Sequence, residues 1–458
     1  MGLQELTFGR NTRLLLFLLL SVVAMEIVDI SINKVYLFIS SIEFSYVENI
    51  LAFIGVSVVF FIGQHFILSY TGGSIRNFSG NHRLLLPRLH KAARIIQYAL
   101  TTILLLVILQ MIFTSHYNTR LLISSTSISY VFSIVMLGVL ARQFISWFRS
   151  NRNTVVMLYT IAIIFIGIDV GTGILLNTIL LVNQQVNSQQ IVASNSAIIP
   201  DNLIPLNNVF IISSVFAFIL TWTATVSILH HHSKRLGKIK YWVLVSSPLL
   251  YFLLQFQPFL LVIFSPYNTA APVTFAIVYT IIFSASKPVG GLLFAAAFWS
   301  MAGKINSTQL RDYMIISAFG LALIFGSDQA IILVNIPYPP FGLATVSFMG
   351  LSSYLLLIGI YSSAISVGED SKLRQSIRNY TINETRLLDD IGTAEMQHGV
   401  EKRVITLTKQ NQNRMAEESG IQSSLTEEDM KQYLEQVINE VKMQRTSNKR
   451  SETNNGNV

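Results

Sequence analysis

Three ionisable residues, Asp169, Lys287 and Asp328, lie inside long apolar segments of the chain. A charge in such surroundings is costly unless it is paired or has a function. Lys287 is the obvious partner for one or both carboxylates. Such a cluster predicts one of two roles. It is either a structural lock between helices, or a proton- or cation-coupled site whose ion pair opens when a carboxylate takes up a proton.

Two further acidic residues, Glu26 and Asp29, are three positions apart and therefore share one face of a helix. They are predicted to face a polar cavity, or to lie just outside the membrane if the first segment is a cleaved signal peptide. Arg10, Arg13, the run Leu14–Val23 and Ala24 fit that second alternative, although we favour a retained segment.

The run from His230 to His232 is the only pattern that suggests a metal. Consecutive helical residues point about 100° apart, so these rings cannot converge on one ion within a helix. Structural zinc sites use spaced ligands. We therefore interpret the run as an interfacial cap, and we expect no metal site and no cofactor. The chain has no cysteine, so disulfides and thiolate chemistry are excluded.

Motifs for catalysis are missing from the sequence: it has no G-x-S-x-G, H-E-x-x-H, P-loop or dinucleotide fingerprint. An intramembrane carboxylate dyad of Asp169 and Asp328 is conceivable. The residues around the two aspartates do not resemble intramembrane protease motifs, so we do not expect an enzyme.

The elements that must position these residues are long apolar helices. The chain is 52% hydrophobic and 12% charged, whereas a soluble domain has about 25% charged residues. Runs of about 20 apolar residues span a bilayer as helices. Ten such segments predict an all-α polytopic bundle: 14–33, 48–70, 95–115, 121–147, 154–182, 209–230, 241–264, 272–302, 312–335 and 342–365.

Charge placement predicts the orientation. With the N-terminus inside, 29 of the 32 lysines and arginines fall on the inner side, Lys34 and Arg120 fall outside, and Lys287 lies within a segment. This asymmetry follows the positive-inside rule and puts both termini in the cytoplasm. The net charge of +8 thus reflects loops facing lipid headgroups and does not indicate nucleic-acid binding.

Short similarities suggest an internal repeat. Ile112–Thr119 is similar to Ile263–Thr269, and Gly167-Ile-Asp169 is similar to Gly326-Ser-Asp328. These matches relate 95–230 to 241–365 by a shift of four helices, which predicts a parallel repeat. Chance similarity between apolar sequences is the alternative.

Local packing signals occur in two segments. The stretch around Lys287 carries Pro288, Gly290 and Gly291, which predicts a broken helix. Broken helices mark binding sites in several transporter folds, but kinked helices also occur without function. The spacing of Gly167 and Gly171 predicts close contact between helices.

The tail differs in composition from the rest. We assign 1–365 to the transmembrane domain, 366–445 to a cytoplasmic helical tail and 446–458 to a disordered terminus. Ser424–Glu427 is a capping box that predicts a second tail helix. Apolar residues at helical spacing in the tail predict a soluble protein partner or self-association: Leu373, Ile377, Leu387, Leu388, Ile391, Val400, Val404 and Leu407.

The junction from Ser366 to Arg378 and the tail around Ser424 resemble uncharacterised multi-pass membrane proteins of ammonia-oxidising archaea. The resemblance implies an archaeal cell membrane and brings no known activity. From the residues, we expect a membrane protein that transports or conducts a small solute or ion. The alternative is a sensory or scaffolding membrane protein that signals through its tail.

Overall fold

The structure is a computed structural model that describes residues 12–38, 46–76, 85–114, 117–187, 200–230, 237–256, 272–305, 307–328, 339–379 and 386–419, together with residues 428 and 436. Every regular element in these ranges is helical. The chain forms two compact units, Met1–Gly392 and Thr393–Val458. The predicted domain boundaries at 365 and 445 stay predictions.

The helices of the first unit are numbered in chain order: α1 Thr12–Phe38, α2 Tyr46–Arg76, α3 Leu85–Thr114, α4 Thr119–Ser150, α5 Thr154–Asn187, α6 Ile204–Leu229, α7 Lys238–Leu254, α8 Pro272–Ser284, α9 Ser286–Lys304, α10 Thr308–Ser327, α11 Leu343–Glu369 and α12 Ser371–Asn379. The last helix, α13, runs over Arg386–Ser419 and passes from the first unit into the second.

Nine helical stretches within the described residues are long and apolar enough to cross a membrane, with α8 and α9 together giving one of them. The chain is therefore an integral, multi-pass membrane protein. The remaining predicted segment, 241–264, is described only as α7 and two following residues, because 257–271 lie outside the described ranges. Ten spans and cytoplasmic termini accordingly stay predictions.

Helix α11 lies at the centre of the bundle, and its entire apolar window is buried. Glycines let its neighbours approach closely. A Cβ on Gly320 of α10 would come within 2.8 Å of the Leu356 Cα, and one on Gly359 of α11 within 2.6 Å of the Ser317 nitrogen. Small residues at such crossings gain van der Waals contact that lipid cannot supply, which stabilises the bundle.

Serines join α4 to α11. The Ser129 hydroxyl donates to the Val346 carbonyl at 3.0 Å and accepts from the Gly350 amide at 3.1 Å. Ser125 and Ser347 are hydrogen-bonded through their hydroxyls at 3.2 Å. All of these side chains are buried, so the bonds satisfy polar groups that would otherwise face lipid or packed side chains.

Helix α1 belongs to the core of the first unit. Leu15, Leu19, Val22 and Val23 are buried, although all four belong to the segment that a signal peptidase would remove. The choice between a retained first helix and a cleaved signal peptide stays a prediction.

Several predictions fall wholly or partly outside the described residues. Ile263–Thr269 and the capping box at Ser424 are among them, so the repeat and the second tail helix stay predictions. Helix α11 does not continue straight into the tail, because Asp370 is extended and its carboxylate caps α12 through the Lys372 amide at 2.9 Å. In the second unit, Val400, Val404 and Leu407 are exposed.

Candidate functional site

Lys287 forms an ion pair with both predicted aspartates. Its Nζ lies 2.8 Å from Oδ2 of Asp328 and 3.7 Å from Oδ2 of Asp169. The same ammonium donates to the main-chain carbonyl of Asp328 at 3.2 Å. That carbonyl lies at the C-terminal end of α10, where a cation is favourable. The three side chains are at most 10% exposed, so the cluster is a buried one.

Three different helices position this cluster. Asp169 lies within α5, and the Ser213 hydroxyl of α6 donates a hydrogen bond to its Oδ1 at 3.4 Å. Asp328 follows the last residue of α10, which ends at Ser327 and not at the predicted 335. Lys287 is the second residue of α9, and Ala285 is the single residue between α8 and α9. The Phe210 ring lies 5.7 Å from the ammonium and adds a cation–π contact.

An open cavity of about 170 Å³ reaches this cluster. Its wall includes Lys287 and Asp328 at the inner end, with Ser214 and Gln255 beside them. Three aromatic rings, Phe210, Phe256 and Phe283, and the side chain of Ile211 complete the wall. Asp328 Oδ1 is buried and has no hydrogen-bond partner among the described residues. The Asp328 carboxylate thus has one oxygen paired with Lys287 and one buried oxygen without a donor among the described residues.

Lys34 also lines this cavity, and the sequence did not single it out as a site residue. Its ammonium forms no hydrogen bond or ion pair with any described residue. The available signal was its isolation: it is one of only two basic residues that the charge pattern puts outside. The cavity thus holds two ammonium groups, of which one is already neutralised.

Four buried phenylalanines, none of which lines the cavity, pack against one another on the helices that carry the cavity's polar residues: Phe218, Phe252, Phe294 and Phe325. The rings of Phe218 and Phe252 stack at 4.0 Å, and Phe294 lies 4.8 Å from Phe325. Each ring lies three to seven residues from a polar residue of the cavity wall on or next to the same helix: Phe218 from Ser214, Phe252 from Gln255, Phe294 from Lys287 and Phe325 from Asp328. We call these four rings the phenylalanine seal.

The predicted glycines of the broken helix serve the packing of this seal. A Cβ on Gly290 would collide with the Phe218 ring, and one on Gly291 would lie 2.8 Å from the Ala322 carbonyl of α10. Neither glycine breaks the helix, since both lie inside α9. The interruption is at Ala285, and Pro288, which has no N–H, lies three residues after it.

Glu26 and Asp29 are not among the residues that line the cavity. Glu26 is buried and accepts a hydrogen bond from the Ser327 hydroxyl at 2.9 Å. Asp29 accepts from the Gly342 amide at 2.9 Å and from the Thr345 hydroxyl at 2.7 Å. These two side chains fasten α1 to the ends of α10 and α11.

Two other sequence signals have different outcomes. A Cβ on Gly167 would meet no described atom within 4 Å, and one on Gly171 only the tip of Ile134 at 4.0 Å, so the predicted close contact was wrong. His230 is exposed at the end of α6, while 231 and 232 lie outside the described residues. Within the described ranges, no group of three acidic or histidine side chains could hold a metal ion.

Comparisons with protein families, with curated proteins and with solved structures gave no match for this chain. The functional conclusion therefore depends on the geometry of the cavity alone.

Proposed function

We propose that the protein transports or conducts a small solute or ion through the helix bundle. The observation that carries this proposal is the open cavity whose wall includes Lys287 and Asp328 of the ion-pair cluster. We take the phenylalanine seal, which packs on the same helices, to close the path on the far side of this cluster. A binding site reached from one end and sealed towards the other is what alternating access requires.

The break between α8 and α9 is slight, because the Ala285 amide still donates to the Ile281 carbonyl at 3.3 Å and the Val289 amide to the Ala285 carbonyl at 2.9 Å. We take the nearby proline to make this junction the point at which α9 moves relative to α8. Helix bends of this kind occur where a proline removes a backbone hydrogen bond, and Pro288 does so here. Movement of α9 would carry Lys287 and Phe294 together, because both lie on that helix. Opening the seal and rearranging the ion pairs would then be one event.

Three residues of the cavity wall, Lys34, Gln255 and Asp328, lie near the ends of α1, α7 and α10, and we take the cavity mouth to be at this end of the bundle. The charge pattern assigns this end to the outside. We therefore take the structure to represent an outward-open form, in the archaeal cell membrane that the resemblance of the junction implies. The surrounding bilayer is the partner that this function needs, and the proposed function involves no catalysis and no nucleic acid.

Reconstituted protein tests this function. Proteoliposomes containing the wild type should accumulate at least one compound from a radiolabelled pool of amino acids, organic acids and sugars. Asp169→Asn and Lys287→Gln should lose that uptake, while Lys238→Gln, an exposed lysine at the far end of α7, should keep it.

A second variant keeps the proposal testable if the pool lacks the substrate. Phe218→Ala removes the ring at the centre of the seal and should raise the permeability of the vesicles to small neutral solutes, measured by stopped-flow light scattering. Phe216→Ala, a largely lipid-facing ring on the same helix, is the matched control. If vesicles with Phe218→Ala were no more permeable to small neutral solutes than wild-type vesicles, and the wild type took up nothing from the pool, transport would be refuted.

The second candidate function, a sensor or scaffold acting through the tail, is favoured by the start of α13. Within the first unit, Asp390 accepts hydrogen bonds from the side-chain amides of Asn151, at 2.8 Å, and Asn153, which connect α4 to α5. Leu388 and Ile391 are buried. Movement of the bundle would reach α13 directly through these contacts.

Deleting 393–458 separates the two functions. Transport predicts that the truncated protein keeps its uptake, since no residue of the cavity or the seal is removed. Signalling predicts that a soluble partner, or a self-association measured by light scattering, is lost with the deleted residues.

A further inference from the structure

We infer that the cavity binds a small monocarboxylate anion, whose carboxylate pairs with Lys34 and whose short hydrocarbon chain lies against the apolar side chains of the wall. This inference rests on the cavity being the substrate site of the proposed function, and it names the class of substrate. Three properties of the wall carry it: an ammonium without a counter-ion, a carboxylate that is already engaged, and an apolar surface of limited volume.

Lys34 is the charged group of the wall that the protein leaves unpaired. It lines the cavity, it is only partly exposed, and its ammonium forms no hydrogen bond or ion pair within the described part of the chain. An ammonium has three N–H donors, and a partly buried one without an acceptor or a counter-ion is unfavourable. A ligand carboxylate would supply both the acceptor atoms and the opposite charge.

The other two charged groups of the wall, Lys287 and Asp328, are engaged with each other. Lys287 Nζ lies 2.8 Å from Asp328 Oδ2, and the other carboxylate oxygen, Oδ1, is buried and is not presented to a ligand. Asp169, the second carboxylate beside Lys287, is not among the residues that line the cavity. A ligand cation would therefore meet an unpaired ammonium and an occupied carboxylate, whereas an anion meets its opposite charge at Lys34.

Gln255 adds uncharged donors to the same wall. Its amide oxygen accepts a hydrogen bond from the Ser286 hydroxyl at 3.2 Å, which leaves its N–H groups to donate. A carboxylate has two oxygens with about four lone-pair positions, so it can accept from an ammonium and from a second donor at the same time. The free donors of Lys34 and Gln255 thus favour a ligand group that only accepts.

The apolar part of the wall fits a short hydrocarbon chain. Ile211, Phe256 and Phe283 line the cavity, and an inorganic anion such as chloride or phosphate would leave them without an apolar contact. A cavity of about 150 Å³ holds benzene, so one of about 170 Å³ takes about six to eight non-hydrogen atoms. Butyrate, lactate and pyruvate have this size, whereas a tricarboxylate or a long-chain fatty acid does not.

Binding to the purified full-length protein tests the inference without requiring flux. Sodium butyrate should raise the unfolding temperature and saturate with concentration, and isothermal titration calorimetry should give its Kd. Butyramide has the same size without the charge, and butylammonium has the opposite charge. Neither should bind at the concentrations where butyrate saturates, and binding of either one as tightly as butyrate would overturn the inference.

A series of chain lengths tests the apolar wall. From acetate through propionate to butyrate, the affinity should rise about three- to fourfold for each added methylene group, because each is transferred from water to apolar side chains. Chloride and phosphate carry no hydrocarbon and should not displace butyrate at matched concentrations. Equal affinities along the series, or displacement by chloride, would show a site for anions in general and would refute a monocarboxylate site.

Variants assign the carboxylate end of the ligand. Lys34→Gln should weaken butyrate binding by about tenfold or more, because a charge-assisted hydrogen bond is lost, and Lys34→Arg should restore much of the affinity. Since Lys34 has no partner within the described chain, Lys34→Gln should unfold at the wild-type temperature when butyrate is absent, which separates loss of binding from loss of folding. Lys238→Gln, which removes an exposed lysine outside the cavity, should bind as the wild type does.

The remaining outcomes distinguish the site from the proposed function. If butyrate, lactate and pyruvate all fail to bind, or if Lys34→Gln binds butyrate as the wild type does, the inference is wrong even when vesicles take up another compound. If butyrate binds with this Lys34 dependence but vesicles do not take it up, the site stands and transport is the claim that fails.

Discussion

At the scale of single residues, the ammonium of Lys287 determines whether two carboxylates can stay buried. Both Asp169 and Asp328 lie within ion-pair distance of its Nζ. Removing one partner of a buried ion pair leaves the other charge uncompensated, which costs more than the intact pair contributes. The cluster is therefore best tested by comparing partial with complete removal of its charges.

Lys287→Met should lower the free energy of unfolding by about 3–5 kcal/mol, because two buried carboxylates lose their counter-ion. The triple variant with Asp169→Asn and Asp328→Asn should recover most of this loss. Chemical unfolding in detergent, followed by tryptophan fluorescence, measures both. If the triple variant were no more stable than Lys287→Met, packing around the lysine stem would be the main contribution.

The residues of the cavity also show which part of the candidate site the sequence predicts and which part it does not. The pairing of Lys287 with the aspartates was predicted and is confirmed, since a charge in an apolar segment needs a partner wherever the helices place it. Lys34 was missed because it lies at the end of its helix, where an exposed lysine is ordinary. Only the position of α1 beside α8 and α10, which no local pattern encodes, makes it part of a cavity.

At the scale of helices, the first turn of α11 depends on a carboxylate from another helix. Gly342 occupies the N-cap position with φ of 95° and has no side chain to accept from the first amides. Asp29 of α1 accepts from the amides of Gly342 and Thr345 in its place. An N-cap carboxylate is ordinarily supplied by the helix itself, and nothing in the sequence indicated one more than 300 residues away.

Asp29→Ala should therefore lower the free energy of unfolding by about 2–3 kcal/mol, since it removes a cap and leaves buried amides unpaired. Glu48→Ala, which removes an exposed acid from the first turn of α2, should change it by less than about 0.5 kcal/mol. Thermal unfolding of both variants in one detergent measures the difference. Equal effects would show that Asp29 does not cap α11.

The crossing of α10 and α11 gives a second prediction at this scale. Gly359→Ala should destabilise the protein by about 1–3 kcal/mol, because the new Cβ would lie 2.6 Å from the Ser317 nitrogen and 2.7 Å from the Tyr313 carbonyl. Gly138→Ala in α4 meets open space within the described structure and should be neutral or slightly stabilising. Unfolding temperatures compare the two substitutions directly. Destabilisation by both would point to helix geometry in general, not to this crossing.

At the scale of the whole molecule, hydropathy predicted a multi-pass membrane protein and most of its helices. It did not predict how those helices pack against one another. Nine long apolar helices are found among the described residues, and their bounds agree with the predicted segments to within several residues. Hydropathy measures transfer into lipid and carries no information on which helix faces protein. The complete burial of α11 was therefore not predictable from a segment of ordinary apolar composition.

The orientation is a testable property of the whole molecule, and the absence of cysteine makes the test direct. In intact cells, a membrane-impermeant maleimide should label Arg120→Cys, which is exposed in the first turn of α4. It should label Lys238→Cys, at the start of α7, only after the membrane is permeabilised. The opposite pattern would reverse the orientation and place the cavity mouth in the cytoplasm.

The buried position of α11 has a consequence for biosynthesis. It is the last long apolar helix to be synthesised, and the helices that enclose it, α1–α4 and α10, are all made before it. Until α11 is inserted, the space that it occupies between these helices is empty, and the Asp29 carboxylate lacks the α11 amides that donate hydrogen bonds to it. The nascent chain therefore holds an incomplete bundle until nearly the end of translation, and insertion of α11 completes assembly in a single late step.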